Sequence, residues 1–190
     1  MKLGLYGGSF DPVHLGHLLV ARAACEELGL DRVVFIPAAR SPFKPDRLPT
    51  PAPIRAKLLR LALQGSPWAS VDLLEIERGG ISYTIDTLRH FHAALPDAEL
   101  FYLIGGDNAP TLPQWKDAAA LATLARFVVI PRPGSPLPAL PEPFLGGSLR
   151  GFPLGVSSSE IRSRVRTGHS IRFLVPDAVA EFIATNRLYL

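Results

Sequence analysis

Residues 3–18 read Leu3-Gly4-Leu5-Tyr6-Gly7-Gly8-Ser9-Phe10-Asp11-Pro12-Val13-His14-Leu15-Gly16-His17-Leu18. An apolar run stops at two glycines, a proline follows, and two histidines three apart lead into an apolar-periodic segment. That pattern predicts strand, tight turn and helix. Glycines carry no Cβ and let a backbone approach a ligand, while the start of a helix presents unpaired N–H groups, so the natural guest of this turn is an anion. His14 and His17 lie one helical turn apart, and both can face one phosphate chain and donate hydrogen bonds to it.

Two common phosphate-binding turns do not fit. The chain has no Gly-x-x-x-x-Gly-Lys-Ser/Thr, and Gly4, Gly7 and Gly8 lack the Gly-x-Gly-x-x-Gly spacing. His14-Leu15-Gly16-His17 resembles instead the His-x-Gly-His signature of the nucleotidyltransferase superfamily. The longer string from Gly7 to His17 is similar to the opening of bacterial nicotinate mononucleotide adenylyltransferases. Histidines that merely cap a strand–helix turn would account for the pair but not for the whole string in this order.

A length of 190 residues suits one domain with a sizeable core, and 47% hydrophobic content with 19% charged residues suits a globular protein. No apolar stretch is long enough to span a membrane, and Met1-Lys2-Leu3 passes straight into the first strand, so the expectation is a cytoplasmic protein without a signal peptide. One cysteine, Cys25, excludes an internal disulfide framework and offers no metal cluster; its place beside Leu18, Ala21 and Leu28 predicts a buried core residue. A net charge of +3 suits anionic substrates and is too small to argue for nucleic acid.

Along the chain, a helix from Leu15 to Leu28 should stop at Gly29, and Asp31 to Ile36 is an unalternating β-branched run of the kind buried on both faces in a parallel sheet. The loop from Ala38 to Pro53 leaves the carboxyl end of that strand, where open α/β sheets place ligands. It carries Lys44 between Pro42 and Pro45, a rigidly presented charge. Ile54 to Gln64 predicts a helix and Val71 to Ile76 a third strand or extended piece. A further helix opens at Ser82-Tyr83-Thr84, capped by Ser82 or Thr84. Glu99 to Ile104 is a strong strand ending in Gly105-Gly106-Asp107, with Trp115 close behind, and Ala125 to Ile130 is the last one. Arg132 follows it in a location suited to an anionic group. Residues 135–153 read as a long surface excursion rich in proline and glycine. Ser157 with Glu160 forms a capping box, and Ser158 and Arg162 share a helix face, so hydroxyl, N–H groups and guanidinium converge on a second phosphate cradle. Helices between strands give a Rossmann-like, doubly wound parallel α/β sheet of about five strands in a single domain over 1–190, with a short helical part from about 155.

The resemblance extends along nearly the whole chain. Lys44 falls in a segment similar to the family's Pro-Pro-His-Lys, with Phe43 in place of the histidine; Val156 to Arg162 resembles Ile-Ser-Ser-Thr-x-Ile-Arg; Gly105 to Asp107 resembles Gly-x-Asp. It implies transfer of AMP from ATP to nicotinate mononucleotide, giving deamido-NAD and pyrophosphate. ATP would lie against Gly7, Gly8, Ser9, Phe10, His14, His17, Lys44, Asp107, Ser157, Ser158 and Arg162, with 155–190 completing that site. Ser9, Tyr83, Thr84, Trp115 and Arg132 would hold the mononucleotide, the helix start at Tyr83 and Thr84 binding its carboxylate. His14, His17, Lys44 and Arg162 are the expected catalytic groups, neutralising developing charge, with Mg²⁺ held mainly by the ATP phosphates and no metal site in the protein itself. Small molecules are the expected partners, with neither nucleic acid nor membrane, and a homo-oligomer is left open. An amide-preferring nicotinamide enzyme, a phosphopantetheine adenylyltransferase and a non-catalytic nucleotide sensor are the rival readings.

Overall fold

The computed structural model describes residues 1–42, 49–152 and 154–190. Its elements run β1 (Lys2–Gly8), α1 (Leu15–Leu28), β2 (Arg32–Pro37), α2 (Ala52–Ala62), β3 (Ala69–Val71), α3 (Leu74–Arg78), α4 (Thr84–Ala94), β4 (Glu99–Gly105), a 3₁₀ segment (Gly106–Gln114), α5 (Ala118–Leu124), β5 (Arg126–Ile130), β6 (Gly146–Ser148), α6 (Ser158–Arg166) and α7 (Asp177–Thr185). The strands form one sheet in the order β3-β2-β1-β4-β5-β6, every neighbouring pair parallel.

Strand alternation explains why the sheet is buried on both sides. In β2, Val33 and Phe35 enter a core with α1, α2 and the apolar residues Ile161, Val179 and Ile183 of α6 and α7. Their neighbours Val34 and Ile36 enter the opposite core with Ile85 and Leu88 of α4 and Leu121 of α5. Helix α1 ends where expected, at Gly29 in the left-handed region with φ 63°. Cys25 packs in the first core.

From β1 the chain steps outward to β2 and β3, then returns to β4 on the other side of β1. Loops leaving β1 and β4 therefore diverge, opening a crevice at the strands' carboxyl ends.

Two expectations need correction. The third strand is Ala69–Val71, and the second half of the predicted extended piece, from Leu74, is α3, because the Asp72 side chain accepts the Leu74 N–H at 2.8 Å and turns the chain. The sheet has six strands rather than about five, the sixth lying inside the predicted surface excursion. Strand β6, Gly-Gly-Ser, is exposed throughout and carries no β-forming side chain. It pairs with β5 through backbone alone, and Gly146, at φ 153°, lies so close to Phe127 that a Cβ would overlap the Phe127 carbonyl. Gly146→Ala is accordingly expected to cost about 1–3 kcal/mol of unfolding free energy by urea titration. An unchanged midpoint would show that β6 does not depend on this approach.

Candidate active site

Turn 9–14 joins β1 to α1 at the crevice. Phe10 takes a left-handed conformation, φ 47°, and its ring is buried against Tyr6 and Phe35 at centroid distances of 5.5 and 5.6 Å. The core thus holds the turn in a backbone geometry that a phenylalanine rarely adopts. Gly7 serves packing here: a Cβ would collide with the Tyr102 hydroxyl.

His14 is the N-cap residue of α1, and its backbone N–H donates to His17 Nδ1 at 3.2 Å. An imidazole that accepts at Nδ1 carries its proton on Nε2, so neutral His17 presents an N–H donor at its far edge. The two rings stack with centroids 3.6 Å apart. His14 is 7% exposed, and among the described residues its Nδ1 is buried without a hydrogen-bond partner. Such a group costs about 1–3 kcal/mol and marks a place for a ligand. Burial lowers the His14 pKa to about 4, and burial together with the charge of His14 puts His17 well below its ordinary value. At neutral pH both imidazoles are uncharged, so the neutralisation expected of them becomes hydrogen-bond donation.

Helix α6 docks on this same turn. Its start is fixed by Ser157 Oγ, which accepts the Glu160 N–H at 3.2 Å. Ser158 Oγ then donates to the Pro12 carbonyl at 2.9 Å, and the Arg162 guanidinium donates to the Asp11 carbonyl and to Ser159 Oγ. Ser158 and Arg162 do share a face, as their spacing requires, and that face grips the first motif directly. From behind, Arg55 of α2, 1% exposed, donates to the carbonyls of Ser9 at 2.8 Å and Thr50 at 2.7 Å.

Two adjoining cavities open here. The larger, about 770 Å³, is walled by His14, His17, Ser157, Ser158 and Arg162, among others. The smaller, about 420 Å³, is walled by Tyr83, Thr84, Tyr102, Trp115 and Lys116, among others. Tyr6, Gly7, Gly8, Ser9, Asn108 and Arg132 face both. In the smaller one, Tyr83 is the N-cap of α4 and Thr84 its first residue, which corrects the expectation that Ser82 or Thr84 caps it. Ser82 Oγ instead accepts the Ala39 N–H at 2.9 Å, tying down the loop after β2, and Thr84 Oγ1 lies 3.3 Å from Tyr102 Oη. Trp115 donates from Nε1 to Thr111 Oγ1 at 3.0 Å, and Lys116 Nζ stands 4.5 Å from the Tyr83 ring centroid and 3.6 Å from Asp86.

Residues 5–164 match a family model described as cytidylyltransferase-like. The chain belongs to that family. Relatives named probable nicotinate-nucleotide adenylyltransferase, from Gemmatimonas aurantiaca (45% identical, covering 100% of this chain and 92% of the relative) and Thermus thermophilus (44%, 100% of both), place it among the nicotinate-nucleotide adenylyltransferases of the family. The fold agrees with two solved structures. A Plasmodium falciparum nicotinic acid mononucleotide adenylyltransferase complexed with NaAD superposes with a TM-score of 0.81 at 18% identity, over 99% of this chain and 97% of the other. A putative nicotinate-nucleotide adenylyltransferase from Vibrio parahaemolyticus gives 0.73 at 20%, over 99% and 94%.

Most family positions marked in the sequence converge on the crevice. Gly7, Gly8 and Ser9 line both cavities, and Phe10 borders the larger one. Asp107 borders the smaller cavity and pairs with Arg132 at 2.7 Å, both side chains 60% exposed. Lys44 and Phe43 lie outside the described residues. Asp11, Arg55, Glu75, Asn108 and Lys116 were not singled out in the sequence. Asp11 lies inside the quoted string and Asn108 beside Asp107; for buried Arg55 and Glu75 the sequence carries no signal, Arg55 falling in a predicted amphipathic helix and Glu75 in the predicted extended piece.

The low histidine pKa has a signed consequence. Above pH 6.5 His14 is neutral folded or unfolded and contributes nothing; between 6.5 and about 4 the unfolded chain binds a proton that the native pocket refuses, so stability drops as the pH drops. His17 acts in the same direction. His14→Ala is expected to recover about 2 kcal/mol of the stability that the wild type loses between pH 7 and 5, read from urea unfolding at each pH. Equal losses in both proteins would mean that His14 titrates normally in the native state.

Proposed function

We propose that this chain transfers the AMP moiety of ATP to nicotinate mononucleotide, forming deamido-NAD and releasing pyrophosphate. The observation that carries the reading is the pair of cavities meeting at the end of β1, the larger of them reaching the His14–His17 turn, in a chain whose full length matches nicotinate-nucleotide adenylyltransferases. A mononucleotide in the smaller cavity and ATP in the larger bring two phosphate groups together at their common wall. A mononucleotide phosphate oxygen attacks the α-phosphorus; the bond from that phosphorus to the bridging oxygen breaks, and its electron pair leaves with pyrophosphate. The acceptor is its own nucleophile, so the protein's task is alignment and stabilisation of the charge that develops on the phosphoryl oxygens.

In this reading His17 Nε2–H and His14 donate to those oxygens, Arg162 and Lys44 supply positive charge, and Ser157 and Ser158 hold the triphosphate side. Mg²⁺ would enter on the ATP phosphates and neutralise charge on the leaving group. His17→Ala is expected to lower kcat by about 10² to 10³, measured as pyrophosphate release that depends on the acceptor. A loss of only a few-fold would remove His17 from the chemistry. Release on adding phosphopantetheine instead, or ATP binding without release on any acceptor, would favour the rival adenylyltransferase or the sensor.

The acceptor's carboxylate is read at the start of α4. Tyr83 and Thr84 open that helix on the cavity wall, and Lys116 adds a positive charge beside it. A charge-assisted hydrogen bond exceeds a neutral one by about 1 kcal/mol or more, and an amide leaves donors unpaired for about 1–3 kcal/mol, so nicotinate over nicotinamide mononucleotide should be favoured by about 10² or more in kcat/KM. Thr84→Pro, which removes an N–H and a hydroxyl, should erode that ratio while chemistry persists. An unchanged ratio would move the carboxylate to Arg132.

A further inference from the structure

The Asp11 carboxylate, 5% exposed, is a junction between parts of the chain far apart in sequence. Its Oδ1 accepts the Tyr189 hydroxyl at 2.9 Å, and its Oδ2 accepts the Thr50 N–H at 3.3 Å and lies 3.9 Å from Arg162 Nη1. That last distance is long for a pair that could close into a bidentate bridge. Tyr189 and the nearby Arg187 both take left-handed backbone conformations, φ 68° and 50°, which cost a non-glycine residue energy and persist only where other contacts hold them. A chain end bent in this way to bring one hydroxyl to one carboxylate has a use for that contact.

We propose that Tyr189 is a positioning residue for catalysis: its hydroxyl, with the Thr50 N–H, holds the Asp11 carboxylate back from Arg162 and so keeps the guanidinium for the phosphates of ATP. The carboxylate and the phosphates compete for the same planar donor face. With both Asp11 oxygens restrained, Arg162 donates to the Asp11 backbone carbonyl and to Ser159 Oγ, and the carboxylate stands off at 3.9 Å rather than gripping the guanidinium. Without the Tyr189 hydroxyl the carboxylate can rotate, close on Arg162 and mask it. This rests on Arg162 as a phosphate ligand, the reading given above.

The test is steady-state kinetics on the full chain. Tyr189→Phe, which removes one oxygen and keeps the partly buried ring packed against the core, is expected to raise KM for ATP about tenfold, the scale of one hydrogen bond to a charged group, with KM for nicotinate mononucleotide within about twofold. Adding Asp11→Asn to Tyr189→Phe should bring KM for ATP most of the way back, because a neutral amide, with one acceptor oxygen and no charge, holds a guanidinium far more weakly than a carboxylate does; a merely structural role would make the two losses add. Thr50→Pro, which removes the other restraint, should move KM for ATP in the same direction and serves if Tyr189→Phe does not fold. Equal rises in both KM values, or a further loss on adding Asp11→Asn, would overturn the proposal. Arg162→Lys separates the two layers: if it leaves KM for ATP and kcat unchanged, the phosphate reading of Arg162 fails first, whereas a damaged Arg162→Lys beside a normal Tyr189→Phe refutes only the role of Tyr189.

Discussion

The architecture of the site depends on one docking event, the grip of α6 on the backbone of the Asp11–Pro12 turn. Two carbonyl oxygens in a buried turn need donors, and the Ser158 hydroxyl and the Arg162 guanidinium supply them. Those bonds bring residues near the end of the chain against residues near its start. They also explain why the two motifs that stand out in the sequence, separated by about 140 residues, behave as one object. Neither has a complete purpose alone. The first without the second is a turn with orphaned carbonyls, and the second without the first is a capped helix whose cation has lost the turn it grips.

Burial then sets the chemistry of the histidines. A solvent-exposed pair one turn apart would be partly protonated near neutrality and would repel itself. Stacked and enclosed, the two rings stay neutral, and the backbone N–H of His14 fixes which edge of His17 carries a proton. In the proposed reaction the phosphates would therefore meet directed donors already in place, and the positive charge would have to come from elsewhere. This division of labour requires little rearrangement as charge develops.

What could be read from the sequence was what rests on strong local patterns. The unalternating run Val33–Ile36 could only be a strand covered on both faces, and Gly29 and the Ser157 cap, the realised half of the Ser157–Glu160 box, mark helix ends, because each depends on the residues next to it. The strand at 146–148 was invisible for the complementary reason. It owes its place to backbone pairing and to the space left by a missing Cβ, and no side chain announces it. Within the site, the resemblance marks many of the residues that face the cavities, but not Asn108 and Lys116 on their walls, nor Arg55 behind them. Arg55 looks like any polar residue of an amphipathic helix until its guanidinium is found inside the fold, on the carbonyls of Ser9 and Thr50. Capping at α4 was misassigned because serine and threonine are good caps in isolation, whereas here both hydroxyls are engaged by tertiary partners, Ser82 by Ala39 and Thr84 by Tyr102.

The two cavities share the end of β1, with Asn108 and Arg132, as a party wall. A change in that wall alters the room on both sides at once, so it cannot retune recognition of one nucleotide while leaving the other untouched. Freedom to vary lies at the far ends, where α4 borders the smaller cavity and α6 the larger, on opposite sides of the sheet's midpoint. On the proposed assignment, a scaffold of this kind would exchange its acceptor by altering the first turn of one helix, and would keep the same donor because the opposite helix is bolted to the turn that leads out of β1.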